Sequence, residues 1–222
     1  MKNLDFFKTD IPEEKLDMII RISWELLQRK IQHGLVKINK EASLQLQFAN
    51  ILQELISISR YSDSERVKVV LEDTIKLQNG KTQEIDVLLE TVIKKRPYKI
   101  AIEMKCYKEF ASSGGKRGAV DIFCKDVYED IESLEKYKQD CPDIKKAYFL
   151  AMTDYENIVC PQNKKAKYWN YDISDGFNLV GPKKFNTPIG GKNVSIHIDG
   201  QYKFEWTNVE SNGKQNYFLI FG

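Results

Sequence analysis

Histidine is scarce in this chain, and its scarcity removes several chemistries at the outset. His33 and His197 are the only two, which argues against Ser-His-Asp hydrolases and nucleases that use histidine to move protons. The four cysteines, Cys106, Cys124, Cys141 and Cys160, include no CxxC pair. That spacing supports neither a Cys/His zinc site nor a disulfide scaffold. No apolar run approaches the length of a membrane span, and the opening "MKNLDFF" lacks an apolar signal core. These absences lead us to expect a cytoplasmic protein with no membrane partner. The net charge is only +2, so any contact with nucleic acid must come from local patches rather than a global basic field.

What is present fits an ordinary globular α/β chain of 222 residues, 42% hydrophobic and 30% charged. We expect one domain over residues 1–222, with N-terminal helices over 1–35, a core over 36–154 and a β-rich extension over 155–222. Leu16, Ile19, Ile20, Trp24, Leu27 and Ile31 form one stripe of a helix running from Pro12 to His33, preceded by Asp10 and ended by Gly34. A second helix follows Asn39 as N-cap and buries Leu44, Phe48, Ile51, Leu52 and Leu55. Glu41, three residues before Leu44, is one turn ahead of the apolar residues on the core-facing side.

From Arg66 the period changes to two. Asn79-Gly80 marks a turn between Val67, Val69, Leu71 and the run "TQEIDVLLETVI". In that run Ile85, Val87 and Leu89 are expected to share one face, and Glu84, Asp86 and Leu88 the other. The next strand, "YKIAIEMKCY", points Ile100, Ile102 and Met104 one way and Ala101, Glu103 and Lys105 the other. A helix near 118–139 with the stripe Val120, Phe123, Val127, Ile131 and Leu134 leads to a buried strand at 145–152. This order implies a central mixed β-sheet flanked by helices. The last seventy residues are rich in aromatics and turns; "SIHIDGQYKFEW" reads as a hairpin with Asp199-Gly200 at its tip, and "NYFLIFG" as a final strand.

Two opposite charges inside the apolar strand, Glu103 and Lys105, need a partner or a ligand if buried. Asp86 on the neighbouring strand and Glu41 on a covering helix supply two more acids. Carboxylates on adjacent strands suit an oxygen-loving divalent cation, with a main-chain carbonyl near Met104 as a further ligand. Such a cation activates water and neutralises charge on a phosphate, so the set suits phosphodiester hydrolysis. The plainer readings are a surface ion pair for Glu103 and Lys105, a solvated strand residue for Asp86 or Glu84, and a helix-dipole contact for Glu41.

"EID" at 84–86 followed by "AIEMK" at 101–105 resembles the PD-(D/E)xK nuclease superfamily, the restriction-endonuclease-like fold. Seventeen positions separate Asp86 from Glu103. The resemblance covers residues 36–154, with Ile85 where the family often has proline. It implies Asp86 and Glu103 as metal ligands, Lys105 as the catalytic lysine and Glu41 as the helical acid. It further implies Mg²⁺, with Mn²⁺ as a substitute, double-stranded DNA as substrate, and a homodimer to cut both strands. A type II restriction or related defence endonuclease is the leading expectation. A repair, recombination or mobile-element nuclease, and a non-cleaving binder of nucleic acid or protein, are the alternatives. Lys108, Lys116 and Arg117, in the loop after the motif, are candidate phosphate contacts, with a solvated loop as the plain reading. "KKAKYWNY" at 164–171 interleaves lysine with aromatics, which fits either a nucleic-acid surface or a core aromatic face. His197 has no partner visible in the sequence. The metal reading requires the carboxylates of Asp86 and Glu103 to lie on one sheet face.

Overall fold

A computed structural model describes residues 12–59, 66–160 and 167–222. Helix α1 (Pro12–Gln32) buries the predicted stripe, with Glu13 and Glu14 in its first turn and Arg29 and Lys30 in its last, as the helix dipole favours. The chain leaves the helix through Gly34 at φ +67, and Asp10 lies outside the described residues. Helix α2 (Glu41–Ile58) is capped from Lys40, one residue later than expected. The hydroxyl of Ser43 accepts the N–H groups of both Asn39 and Lys40, so the side chain of Asn39 is not what starts the helix.

Strands β1 (Lys68–Lys76), β2 (Thr82–Ile93) and β3 (Arg96–Tyr107) form an antiparallel meander. Helix α3 (Val120–Asp140) crosses over to β4 (Ile144–Thr153), which lies parallel to β3. A short helix α4 (Glu156–Val159) and a 3₁₀ turn (Lys167–Tyr171) follow. Then come β5 (Asn178–Val180), β6 (Lys183–Phe185), β7 (Ile196–Ile198), β8 (Gln201–Lys203), β9 (Trp206–Ser211) and β10 (Lys214–Phe221). The central sheet has the order β1-β2-β3-β4-β10-β9, mixed as expected.

Two apolar cores sandwich the sheet. On one face Ile100, Ile102, Met104 and Cys106 of β3 pack with the stripes of α1 and α2. On the other, Ala101 and Tyr107 pack with Phe123, Val127, Ile131 and Leu134 of α3. The alternation predicted for β3 therefore holds along its length. That of β2 does not: Val87 and Leu89 face α1 and α2, but Ile85 joins Leu88 in the α3 core. The strand changes face at Asp86.

The C-terminal region is less separate than its composition suggests. β10 inserts next to β4 and β9 closes the sheet edge. Asp199-Gly200 does not close a hairpin either. β7 pairs with β6, and β8 pairs with β5. The buried carboxylate of Glu135 on α3 accepts the N–H groups of Asp199 and Gly200 and the hydroxyl of Tyr202, pinning the turn to the helix. The backbone donors of the turn thus find a charged acceptor on another element, and the flanking strands pair elsewhere.

Phe218 of β10 is buried edge-on against Trp24 of α1, with ring centroids 5.6 Å apart. Phe218→Ala is expected to lower stability by about 3–5 kcal/mol in a denaturant titration. A loss within about 0.5 kcal/mol, the usual surface value, would mean that the C-terminal strands are an appendage.

Candidate active site

The β2–β3 ladder runs from Ile93↔Arg96 to Val87↔Ile102 and then stops. Opposite, the β1–β2 ladder misses one rung, at Glu72 and Asp86, where Glu72 takes φ +53. The strands part at the residues the sequence nominates. Beyond this point the N–H groups of Met104 and Cys106 have no carbonyl from β2, and side chains take its place. Asp86 Oδ2 accepts from Met104 N at 2.6 Å, and Glu41 Oε2 accepts from Cys106 N at 3.3 Å. Gln45, one turn along α2 from Glu41, donates to Asp86 Oδ1 at 2.6 Å.

Lys105 spans the gap. Its Nζ lies 3.6 Å from Glu41 Oε1 on α2 and 3.2 Å from Asp130 Oδ2 on α3. Glu103 is buried, 5% exposed, and accepts the Tyr137 hydroxyl of α3 at 2.6 Å. Asp86 and Glu103 do not sit side by side on one flat pleat, but the parting of the strands leaves no wall between them. Asp86 sits in the gap, tied to the strand edge and to α2, while Glu103 turns towards α3. The charge of Asp86 still reaches Glu103 through the opening and raises the proton affinity of Glu103.

Asp130 and Tyr137 were not anticipated. The signal was present: Phe123, Val127, Asp130, Leu134 and Tyr137 recur at alternating spacings of four and three, one helix face carrying an acid at a core position. Gln45 follows Glu41 by one helical turn, which puts both side chains on the same side of α2. Glu84 is exposed, and only its carbonyl approaches the Tyr137 hydroxyl, at 3.3 Å.

The loop lysines behave differently from a free basic patch. Lys108 is largely buried, with Nζ 2.9 Å from Asp154 Oδ2. Lys116 pairs with Glu109 at 3.0 Å, and Arg117 contributes its main chain, its N–H to Glu109 and its carbonyl to the Tyr107 hydroxyl. His197 does have a partner, Asp199 Oδ1 at 2.8 Å from Nε2. Residues 164–166 of the lysine–aromatic stretch lie outside the described residues. Tyr171 at its end is buried against Tyr128, which is the core-face reading.

Four carboxylates, Glu41, Asp86, Glu103 and Asp130, thus surround one ammonium group. Burial first, then neighbouring carboxylates, hold Glu103 well above the usual range. Burial likewise raises Asp130, from its ordinary 3.8 to about 7, against the pull of Lys105. Glu41 is also raised, mainly by burial. Lys105 is held above its ordinary value by Asp130, Glu41 and Asp86, which outweigh the cost of its own burial. An all-oxygen donor set with surplus negative charge has the chemistry of a hard divalent-cation site. Asp130 Oδ2, buried and without a well-aligned hydrogen bond, adds to that surplus. Among the described residues, however, no three acidic, His or Cys side chains are already arranged as ligands. Asp86 and Glu103 instead spend their oxygens on Met104 N–H, Gln45 and Tyr137.

Comparison of the chain with protein-family models, with curated proteins and with solved structures returns no significant match. Among the described residues no helix is long and apolar enough to cross a membrane.

A carboxyl whose folded pKa is raised binds its proton more tightly folded than unfolded. Its stabilising contribution is therefore complete below the unfolded value and is lost as pH rises through the folded one. For Asp130 that window runs from 3.8 to about 7. In metal-free buffer the melting temperature is expected to fall across this window, and Asp130→Asn or Glu103→Gln to flatten the fall. An equally steep fall in both variants would show that these two groups are not the buried acids responsible.

Proposed function

We propose that this chain is a divalent-metal-dependent nuclease that hydrolyses DNA phosphodiester bonds, of the PD-(D/E)xK type, with restriction or related defence as its setting. The observation that carries this reading is the convergence of Asp86, Glu103, Lys105 and Glu41 where β2 parts from β3. Neither a surface ion pair nor a solvated strand accounts for four partly or fully buried acids around one lysine.

Asp86, Glu103 and the main-chain carbonyl of Met104 are the groups that would hold Mg²⁺ or Mn²⁺. The cation, when bound, supplies an activated water and offsets charge on the phosphate. Lys105, beside Asp130 and Glu41, serves as a positive charge that holds water and offsets developing phosphate charge. Glu41 and Asp130 set the position of its Nζ from two helices. Tyr137 orients Glu103, and Gln45 orients Asp86. Each centre cuts one strand, so scission of both strands calls for two copies of the chain.

The test is cleavage of supercoiled plasmid with Mg²⁺ by the wild type, Glu103→Ala and Lys105→Ala. Wild-type nicking or linearisation is expected, reduced about 10²-fold or more in each variant. The reading fails if wild type cuts no DNA or RNA and calorimetry finds no divalent-cation binding. Sequencing of the cut ends separates site-specific restriction from general degradation.

A further inference from the structure

Beyond the candidate site, the C-terminal ends of β3 and β4 open into a polar groove of about 450 Å³ on the α1–α2 face of the sheet. Three turns wall it: the α1–α2 connection, the loop after β3, and the β9–β10 turn. Two segments run from the groove to the site along the chain. Asn39 lines the groove two residues before Glu41, and Lys108 lines it three residues after Lys105.

Its charges are unequal in kind. Lys108 is neutralised by Asp154 and lies 3.4 Å from Asn216 Oδ1, so it serves as a strut between β3 and β10. Lys37 and Lys214 are exposed, and among the described residues neither forms an ion pair. They are the uncompensated positive charges of the groove. Phe110 stands on its rim 47% exposed, with Lys214 Nζ 5.9 Å from its ring centroid. An exposed ring among ammonium groups and Asn and Ser side chains fits a polyanion that also carries flat apolar faces. A nucleic-acid strand has both, phosphates for the lysines and bases for the ring.

We propose that this groove holds the DNA strand flanking the scissile phosphate, with Lys37 and Lys214 on phosphates and Phe110 stacked on a base. The assignment of DNA rests on the nuclease reading above. The phosphate contacts come from residues far apart in sequence, and not from Lys116 or Arg117.

The experiment measures binding of a fluorescein-labelled, mixed-sequence DNA duplex by anisotropy over a salt series in metal-free buffer. The proteins are wild type, Lys37→Gln/Lys214→Gln, Phe110→Ala, and the control Lys95→Gln/Lys145→Gln at the opposite end of the sheet. The groove pair is expected to weaken binding roughly ten- to hundredfold at about 0.1 M salt and to reduce the slope of log Kd against log salt by about two. Phe110→Ala is expected to weaken binding with the slope unchanged, and the control pair to match wild type. All four are expected to melt alike, since the changed side chains are exposed or lie at turns. Wild-type affinity and slope in the groove pair, an equal loss in the control pair, or no DNA binding by wild type would each overturn the proposal. Plasmid cleavage by the same proteins separates the two readings. If wild type cleaves and the groove pair binds as wild type does, the groove alone fails. If the groove lysines carry binding but wild type never cleaves, the hydrolase reading alone fails.

Discussion

The ammonium group of Lys105, held between a carboxylate of α2 and a carboxylate of α3, is the contact around which this structure is arranged. It can reach both helices only because β2 has left β3 at that level, removing the wall that otherwise separates the two faces of the sheet. The opening is sustained by the same acids that surround it. Asp86 and Glu41 take the two β3 N–H groups that the departing strand abandons, so a break in the ladder carries little cost in unsatisfied backbone.

That arrangement concentrates negative charge where water is scarce. Four carboxylates against one lysine cannot all ionise without penalty, and the raised proton affinities of Glu103, Asp130 and Glu41 express that penalty. Such a cluster trades stability for local potential, a pattern common to sites that recruit cations. The remaining fold supplies the stiffness. The sheet is buried on both faces, and the C-terminal strands lock onto β4 and α1 rather than trailing from the domain. Glu135, on the same helix as Asp130 and Tyr137, ties α3 to the β7–β8 turn, so the helix that carries two site residues is fixed at several points.

The elements that local pattern specifies were legible in advance. The stripes of α1, α2 and α3, the alternation of β3, the Asn79-Gly80 turn and the final strand all follow from side-chain periodicity and turn chemistry, which neighbours along the chain determine. The nomination of Asp86, Glu103, Lys105 and Glu41 was legible for the same reason. A charge in an apolar run is conspicuous because burying it unpaired is expensive.

Tertiary structure alone decided the rest, since each remaining feature depends on residues distant in sequence. The face switch of β2 at Asp86 depends on a distortion shared with Glu72 across the ladder. Asp130 and Tyr137 became site residues because the crossover sets α3 against the gap. The apparent Asp199-Gly200 hairpin was undone by a carboxylate sixty-four residues earlier. Lys108 was withdrawn from the loop's positive charge by Asp154 and Asn216, while Lys37 and Lys214 were brought to one groove from opposite ends of the chain. The sequence by itself determined which residues had to be buried and which charges were anomalous, because those are properties of short segments. Which charges meet, and which are cancelled, was settled only by packing, because Coulomb partners are chosen by distance in space.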